Sequence, residues 1–428
     1  MKVIVIGAGL SGLYTAYLLK QLGHDVLVLE AKDRVGGRTL TIKHNEKYID
    51  LGGQWVGSPQ KNIMKLLHKF KITYYRQYDS GNNIANFNNQ QYIYSGNITT
   101  FDPDNKLGQF VSQMENLTQN MNKALDNVLC SSWLDDCCDD KIVRGLIELA
   151  INGCTCFECD EISLYYWLYF LKSCGNYDQL ANIHGGGQEF RVKNGAMSIS
   201  EHLAQHVKPI LNSPVVSINQ NSDGCQVCTQ DNNEYTGDLV VLTIPPPCNM
   251  NIKFIPDLPF AKKHLYSNMH MGSVKKIIVI YKKPFWREQG FSGEIISDKP
   301  PIRLAYDCST DDYYGLLCFV LAKSAKKNIT QDEICTAYAT YFNDQRAMSP
   351  VLFIEKDWGA EPYSGGCYFA VATKGVFSRF SSVLQEPFNK IYWAGTETAD
   401  NWLGYMEGAI ESAQRVVRQI KDITIHPD

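Results

Sequence analysis

Apolar residues open the chain as an unbroken run from Val3 to Ile6, pass through glycines, and continue into "LYTAYLLKQLG", where apolar positions recur at helical spacing until Gly23. A second run, Val26 to Leu29, ends on Glu30. Continuous runs of this kind predict strands buried on both faces of a parallel sheet, so the chain begins as strand, helix, strand. Similar runs recur at 238–247 ("DLVVLTIPPP") and 390–395 ("KIYWAG"), each closed by small or turn residues, and predict further strands of the same sheet. Between them, 161–175 ("EISLYYWLYFLKSCG") predicts an aromatic helix and 275–286 ("KKIIVIYKKPFW") a hairpin-like stretch. The Asn/Gln-rich piece from Asn82 to Asn97 predicts a surface connection or edge hairpin. No repeat of about 20–50 residues is visible. The expected division is one discontinuous domain over 1–75, 193–265 and 361–428, and a second over 76–192 and 266–360, with a ligand cleft where they meet.

Composition narrows the function. A formal net charge of −4 with 20% charged residues is the wrong sign and size for a nucleic-acid binder. The N-terminus has no cationic leader or cleavage site, and no uninterrupted apolar stretch of about 18 residues occurs, so a cytoplasmic protein with no membrane partner is expected. The 14 cysteines would then be mostly free thiols.

Chemistry enters at Gly7-x-Gly9-x-x-Gly12, which lies between the first strand and its helix. In a dinucleotide fold, Gly7 makes the tight turn, Gly9 lets backbone approach a pyrophosphate, and Gly12 lets helix pack on strand. Glu30, at the end of the second strand, is placed to accept ribose hydroxyls, which favours FAD or NAD over NADP. Two more glycine pairs follow, Gly36-Gly37 between Arg34 and Arg38, and Gly52-Gly53 in "YIDLGGQWVG", as a longer cofactor would need.

At this point the text resembles the flavin-containing amine oxidases, and within them the monoamine oxidases. The blocks "VIGAGLSGL", "EAKDRVGGRT", "YIDLGGQWVG", "HGGGQEFRV", "MGSVKKIIVIYKKPFW", "DWGAEPYSGGCY" and "WAGTETADNWLGYMEGAIESAQ" stand in the family's order over almost the whole chain. The resemblance implies an α/β fold: a Rossmann-like FAD-binding domain of glutathione-reductase type, interleaved with an α+β substrate domain whose mixed sheet covers the flavin. It implies that Cys367 in "YSGGCY" anchors FAD as a thioether, and that Tyr368 and Tyr405 frame the substrate amine. Lys276 matches the lysine that holds a water against the flavin, and on a strand Lys275 and Lys276 would point to opposite faces. Arg38, Val215, Trp358, Gly395, Thr396, Glu397 and Met406 join the cofactor contacts, with Gly408 and Ala409 close by, and Gln188 joins the substrate cavity. The animal monoamine oxidases carry a C-terminal membrane helix, and this sequence closes before one.

The reaction so implied is oxidative deamination of a primary amine with O2, giving an aldehyde, ammonia and hydrogen peroxide. A putrescine or polyamine oxidase and a catalytically silent flavin-bound scaffold are the alternatives. A diamine would need a carboxylate at the far end of the pocket, for which Asp160, Glu161, Asp307 and Asp311 are candidates; an amino acid would need an arginine, for which Arg303 is. Small residues at Gly153 and Ala181 suggest a broad pocket. Cys156-x-x-Cys159 beside Cys154, with Cys225-x-x-Cys228, imitates a zinc site, but Cys225 and Cys228 fall on a strand where they face apart, so no metal is expected. Cys137-Cys138 lies among acids that should raise its thiol pKa values. The glycines 185–187 lack the GK[ST] of a phosphate loop. A homodimer is left open.

Overall fold

The structure is a computed structural model, and it describes residues 1–101 and 104–425. In chain order, the elements that build the site are β1 (Lys2–Ile6), α1 (Leu10–Gln21), β2 (Asp25–Leu29), β3 (Asn82–Phe87), β4 (Gln90–Ser95), α2 (Lys141–Thr155), α3 (Leu164–Ser173), β5 (Leu239–Leu242), β6 (Val274–Tyr281), β7 (Phe291–Ser297), β8 (Leu304–Asp307), β9 (Tyr314–Leu321), β10 (Leu352–Asp357), β11 (Ile391–Trp393) and α4 (Met406–Ile425).

Strands β1, β2, β5 and β11 form one parallel sheet in the order β2-β1-β5-β11. The two late apolar runs thus join the opening strand although more than two hundred residues separate them from it. The sheet is buried on both faces, which is why β1 is continuously apolar. Val3 and Val5 face a core with Leu13, Ala16 and Leu203, while Ile4 and Ile6 face another with Phe254, Leu265 and Trp393. Helix α4 returns to α1, where the hydroxyls of Ser11 and Ser412 meet at 3.1 Å.

A second, mixed sheet has the order β10-β6-β9-β8-β7-β3-β4. Only the β7–β3 pair in it is parallel. Asn82–Asn97 supplies its edge hairpin, β3 and β4. The hairpin expected over 275–286 is not formed. Residues 274–281 are one strand, paired on both sides with β9 and β10, and all eight are buried. Pro284, which has no N–H to continue a ladder, precedes a short helix at Phe285–Glu288 that buries Phe285 and Trp286. The aromatic segment forms α3, capped by the Ser163 hydroxyl accepting from Tyr166 N. Among the described residues, no helix is long and apolar enough to cross a membrane, no group of three His, Cys, Asp or Glu side chains could hold a metal ion, and none of the 14 cysteines forms a disulfide.

Candidate active site

A cavity of about 860 Å³ runs from the carboxyl ends of β1 and β2 to the face of the mixed sheet. Its first half is a glycine cradle. Gly7 turns at φ +104°, a conformation costly to any side chain. A Cβ on Gly12 would lie 2.0 Å from Gly7 O, so only glycine lets α1 sit this close to the loop. No side chain caps the start of α1, which leaves its first N–H groups for an anion. Glu30 lines the cavity next to them, its Oε2 accepting from Ala8 N at 2.6 Å and its Oε1 from Lys32 N at 3.0 Å.

The expected cofactor residues Gly7, Gly9, Glu30, Arg38, Gly52, Gly53, Val215, Gly395, Thr396 and Met406 line this cavity, as do Gln188, Tyr368 and Tyr405. Gly12, Lys276, Trp358, Cys367 and Glu397 do not line it and sit behind its wall. Glu397 accepts from Arg38 at 2.6 and 3.1 Å, and Arg38 also donates to Tyr368 O at 2.6 Å. Trp358 Nε1 donates to Leu51 O at 2.9 Å, just before the Gly52-Gly53 pair. Cys367 is buried, with its N–H on Gly272 O and its thiol 4.0 Å from Thr155 O, near Cys156.

Lys276 is buried and donates to Gly52 O at 2.9 Å and to Gln54 Oε1 at 2.6 Å. Burial pushes its ammonium down to about 7, against the pull of Asp50, and Arg191 lowers it further. Lys275 points to the other face and pairs with Glu355 at 2.9 Å. Neither lysine is on an edge strand, since β6 is flanked on both sides.

Tyr405 is held by a strained turn. Trp402 adopts φ +53°, Tyr405 N donates to Trp402 O at 3.0 Å, and the two rings meet edge to face at 5.0 Å, with Phe170 of α3 stacked on the far side at 6.5 Å. Burial raises the hydroxyl pKa values of Tyr368 and Tyr405 well above 10, so both rings stay neutral. Much of the remaining wall is apolar, from Leu146 and Leu149 of α2, Leu180, Ile296, Leu304 and Phe319, with Gly153 and Ala181 as its small positions.

Several residues were not singled out from sequence. Gln54, Glu294, Tyr306 and Glu361 line the cavity, and Trp402 supports Tyr405. Gln54 could have been found beside Gly52-Gly53; the others carry no local signal. The distal carboxylates weighed from sequence lie elsewhere. Asp307 is locked to Arg287 and Trp286, Asp160 pairs with Lys323, Glu161 caps Glu158 N, and Asp311 is exposed. Arg303 faces Glu158 at 3.8 Å and does not line the cavity. At Cys137 and Cys138 burial raises the thiol pKa more than the neighbouring acids do.

The donors fit FAD. The cradle is stripped of Cβ atoms at Gly7, Gly9, Gly37, Gly52, Gly53 and Gly395, and a Cβ on Gly37 would stand 3.4 Å from Gly9 Cα. Gln54 Nε2 and Gln188 Oε1 are buried without protein partners among the described residues, a donor and an acceptor on the same cavity.

Residues 10–421 match the family described as "Flavin containing amine oxidoreductase". The chain is 37% identical over 444 residues to "Probable flavin-containing monoamine oxidase A" of Dictyostelium discoideum, covering 98% of this chain and 97% of that one. It is 34% identical to "Amine oxidase [flavin-containing] B" of Homo sapiens, covering 98% of this chain and 85% of the relative. Its fold matches a solved putrescine oxidase bound to putrescine with a TM-score of 0.93 and 26% identity, over 99% of both chains.

Proposed function

The chain belongs to the flavin-containing amine oxidoreductase family, and from that premise we propose that it oxidises a primary monoamine to an aldehyde and ammonia, with O2 as acceptor and hydrogen peroxide as product. The observation that carries this reading is continuity. One cavity joins the glycine cradle to a chamber bounded by Tyr368, Tyr405 and apolar side chains.

FAD, when bound, would supply the acceptor for a hydride equivalent from the amine Cα and the route of its electrons to oxygen. Gly7, Gly9, Gly395 and the start of α1 would hold its phosphates, Glu30 its ribose, and Arg38, Gly52, Gly53, Val215, Thr396 and Met406 the rest. Tyr368 and Tyr405 orient the amine through their ring faces, and the apolar wall excludes water and favours the neutral amine. Lys276 donates from Nζ to Gly52 O and Gln54 Oε1. Trp358 and Glu397 steady the cradle from behind. Gln188 presents an unpartnered carbonyl to the substrate side.

Covalent attachment of FAD through Cys367 is part of the proposal, supported by the buried thiol next to Tyr368. So is a cytoplasmic setting, supported by 14 free thiols. The interleaved domains given by 1–75, 193–265 and 361–428 against 76–192 and 266–360 are the division that best accounts for a cavity lined from both sheets.

Anaerobic addition of benzylamine, tyramine or putrescine should bleach the oxidised flavin absorbance, and failure with every amine would sink the oxidase reading. Acid precipitation tests the link. Colour should stay with the wild-type pellet and move to the supernatant in Cys367→Ala; colour in the wild-type supernatant refutes covalency alone.

A further inference from the structure

Cys156 and Cys367 belong to segments far apart in the chain, and glycine backbone lets those segments meet. Gly272 O accepts from Cys367 N at 3.0 Å. A Cβ on Gly272 would stand 2.8 Å from Cys156 Cβ and 2.6 Å from Thr155 O, and one on Gly366 would stand 2.6 Å from Gly272 O. Bare backbone at both glycines therefore brings the two cysteines together. The Cys367 thiol lies 4.0 Å from Thr155 O, and the Cys156 thiol donates to the Cys367 sulfur.

Cys156 caps the end of α2 at φ +59°, a left-handed turn that glycine or asparagine usually fills. From its other side the Tyr368 hydroxyl donates to its sulfur. Burial pushes the Cys156 thiol well above its usual range, so it stays protonated.

Both cysteines are buried, yet they lie just behind the cavity: Tyr368, which follows Cys367, and Cys154, two residues before Cys156, line it. A route that admits the flavin ring to Cys367 also admits a small oxidant when the flavin is absent.

We propose that Cys156 and Cys367 form a reversible disulfide when hydrogen peroxide reaches the flavin-free chain, and that this bond and a flavin thioether exclude each other at Cys367. Peroxide gives one oxygen to the Cys367 thiol, forming a sulfenic acid and one water. The Cys156 sulfur then attacks the oxidised sulfur, the S–O bond breaks, and the hydroxyl leaves with the Cys156 proton as a second water. The two thiols are oxidised by two electrons and the peroxide O–O bond is reduced by two. A dithiol such as dithiothreitol restores both thiols by exchange. The exclusion rests on the thioether reading above, whereas the disulfide needs only the contact of the two thiols. Its use is protection: a chain still waiting for flavin keeps its attachment thiol from going on to sulfinic acid, which no thiol reverses.

The test uses the full chain from riboflavin-limited and riboflavin-replete cells, taken as the folded fraction from gel filtration. Each sample is exposed to hydrogen peroxide, alkylated, digested without reductant and mapped by mass spectrometry. The riboflavin-limited wild type should yield the peptides of Cys156 and Cys367 joined, and dithiothreitol should separate them. The riboflavin-replete protein should yield only separate peptides, that of Cys367 carrying flavin. In Cys156→Ser the join should vanish and dimedone should tag Cys367, whose sulfenic acid then has no second thiol to resolve it. Peroxide-treated, riboflavin-limited wild type incubated with FAD should gain no acid-stable colour until dithiothreitol is added. Absence of the join from the riboflavin-limited wild type, or Cys367 joined to another cysteine, overturns the pair even if flavin stays in the acid pellet. Flavin lost to the acid supernatant, with the join present in both preparations, sinks the thioether reading and leaves the disulfide standing.

Discussion

Lys276 shows how one residue couples burial to pH. Between about 7, its folded value, and 10.5, its value when free, the unfolded chain holds the proton and the folded chain does not. Stability therefore climbs with pH across that window, and the whole cost of the buried charge is felt below about 7. In Lys276→Met the expected climb shrinks, with the difference in Tm from wild type shifting steadily between about pH 7 and 10 and level below. Lys262, buried over the Trp393 ring at 3.6 Å and also pushed down to about 7 by burial, adds a slope of the same sign. Lys262→Met should then remove a separate share, and the double variant the sum. Thermal melts of all four proteins across this range check it. Residues such as Gly7, Gly9 and Glu30 were legible in the sequence because the loop that needs them is local. Glu294 was not, since a register break with a strand some two hundred residues away turns it inward.

Among elements, the tightest constraint is the approach of α1 to its loop. A methyl at Gly12 would meet Gly7 O at 2.0 Å and Thr243 Oγ1 at 2.7 Å, and backbone cannot step aside. Gly12→Ala should cost about 1–3 kcal/mol by overpacking and lower the flavin-to-protein ratio after gel filtration. Gly293→Ala acts on the other sheet. Its φ is +91° and a Cβ would stand 3.0 Å from Asp307 N, so a loss of about 1–3 kcal/mol is expected in guanidinium unfolding. Strand and helix types in the parallel sheet followed directly from apolar runs. The stretch 275–286 misled because two Lys-Lys pairs around an apolar centre look like two arms of a hairpin. The structure instead keeps β6 straight, since partners on both edges satisfy its whole backbone.

Across the whole molecule, distant segments meet at single contacts. Arg38 and Glu397 are 359 positions apart, and the Glu397 side chain is 1% exposed. Removing the guanidinium would strand a buried carboxylate, so Arg38→Ala should lose roughly 3–5 kcal/mol and release the tie on Tyr368 O. Glu397→Gln should cost less, because the amide oxygen still accepts from Arg38 and the guanidinium left without its counter-charge is 22% exposed against 1% for the carboxylate, and differential melts would separate the two. Such joins were not legible from local pattern. The family resemblance led to the expectation that Gly7 and Gly395 serve one cofactor, but no motif announced that Ser11 and Ser412 both accept from Gly395 N, each at 3.0 Å.

The strand order β2-β1-β5-β11 also sets a timetable during translation. The first glycine loop leaves the ribosome early, yet the last strand of its sheet, β11, ends at Trp393 and α4 follows it. At roughly 5–20 residues per second, the stretch between β2 and β11 takes about 20–70 s to make. Until β5 emerges β1 has one flank bare, and from then until β11 emerges β5 does, so the nascent chain is a natural client for a chaperone, and flavin capture has to wait until β11 and the Gly395 turn after it have been made.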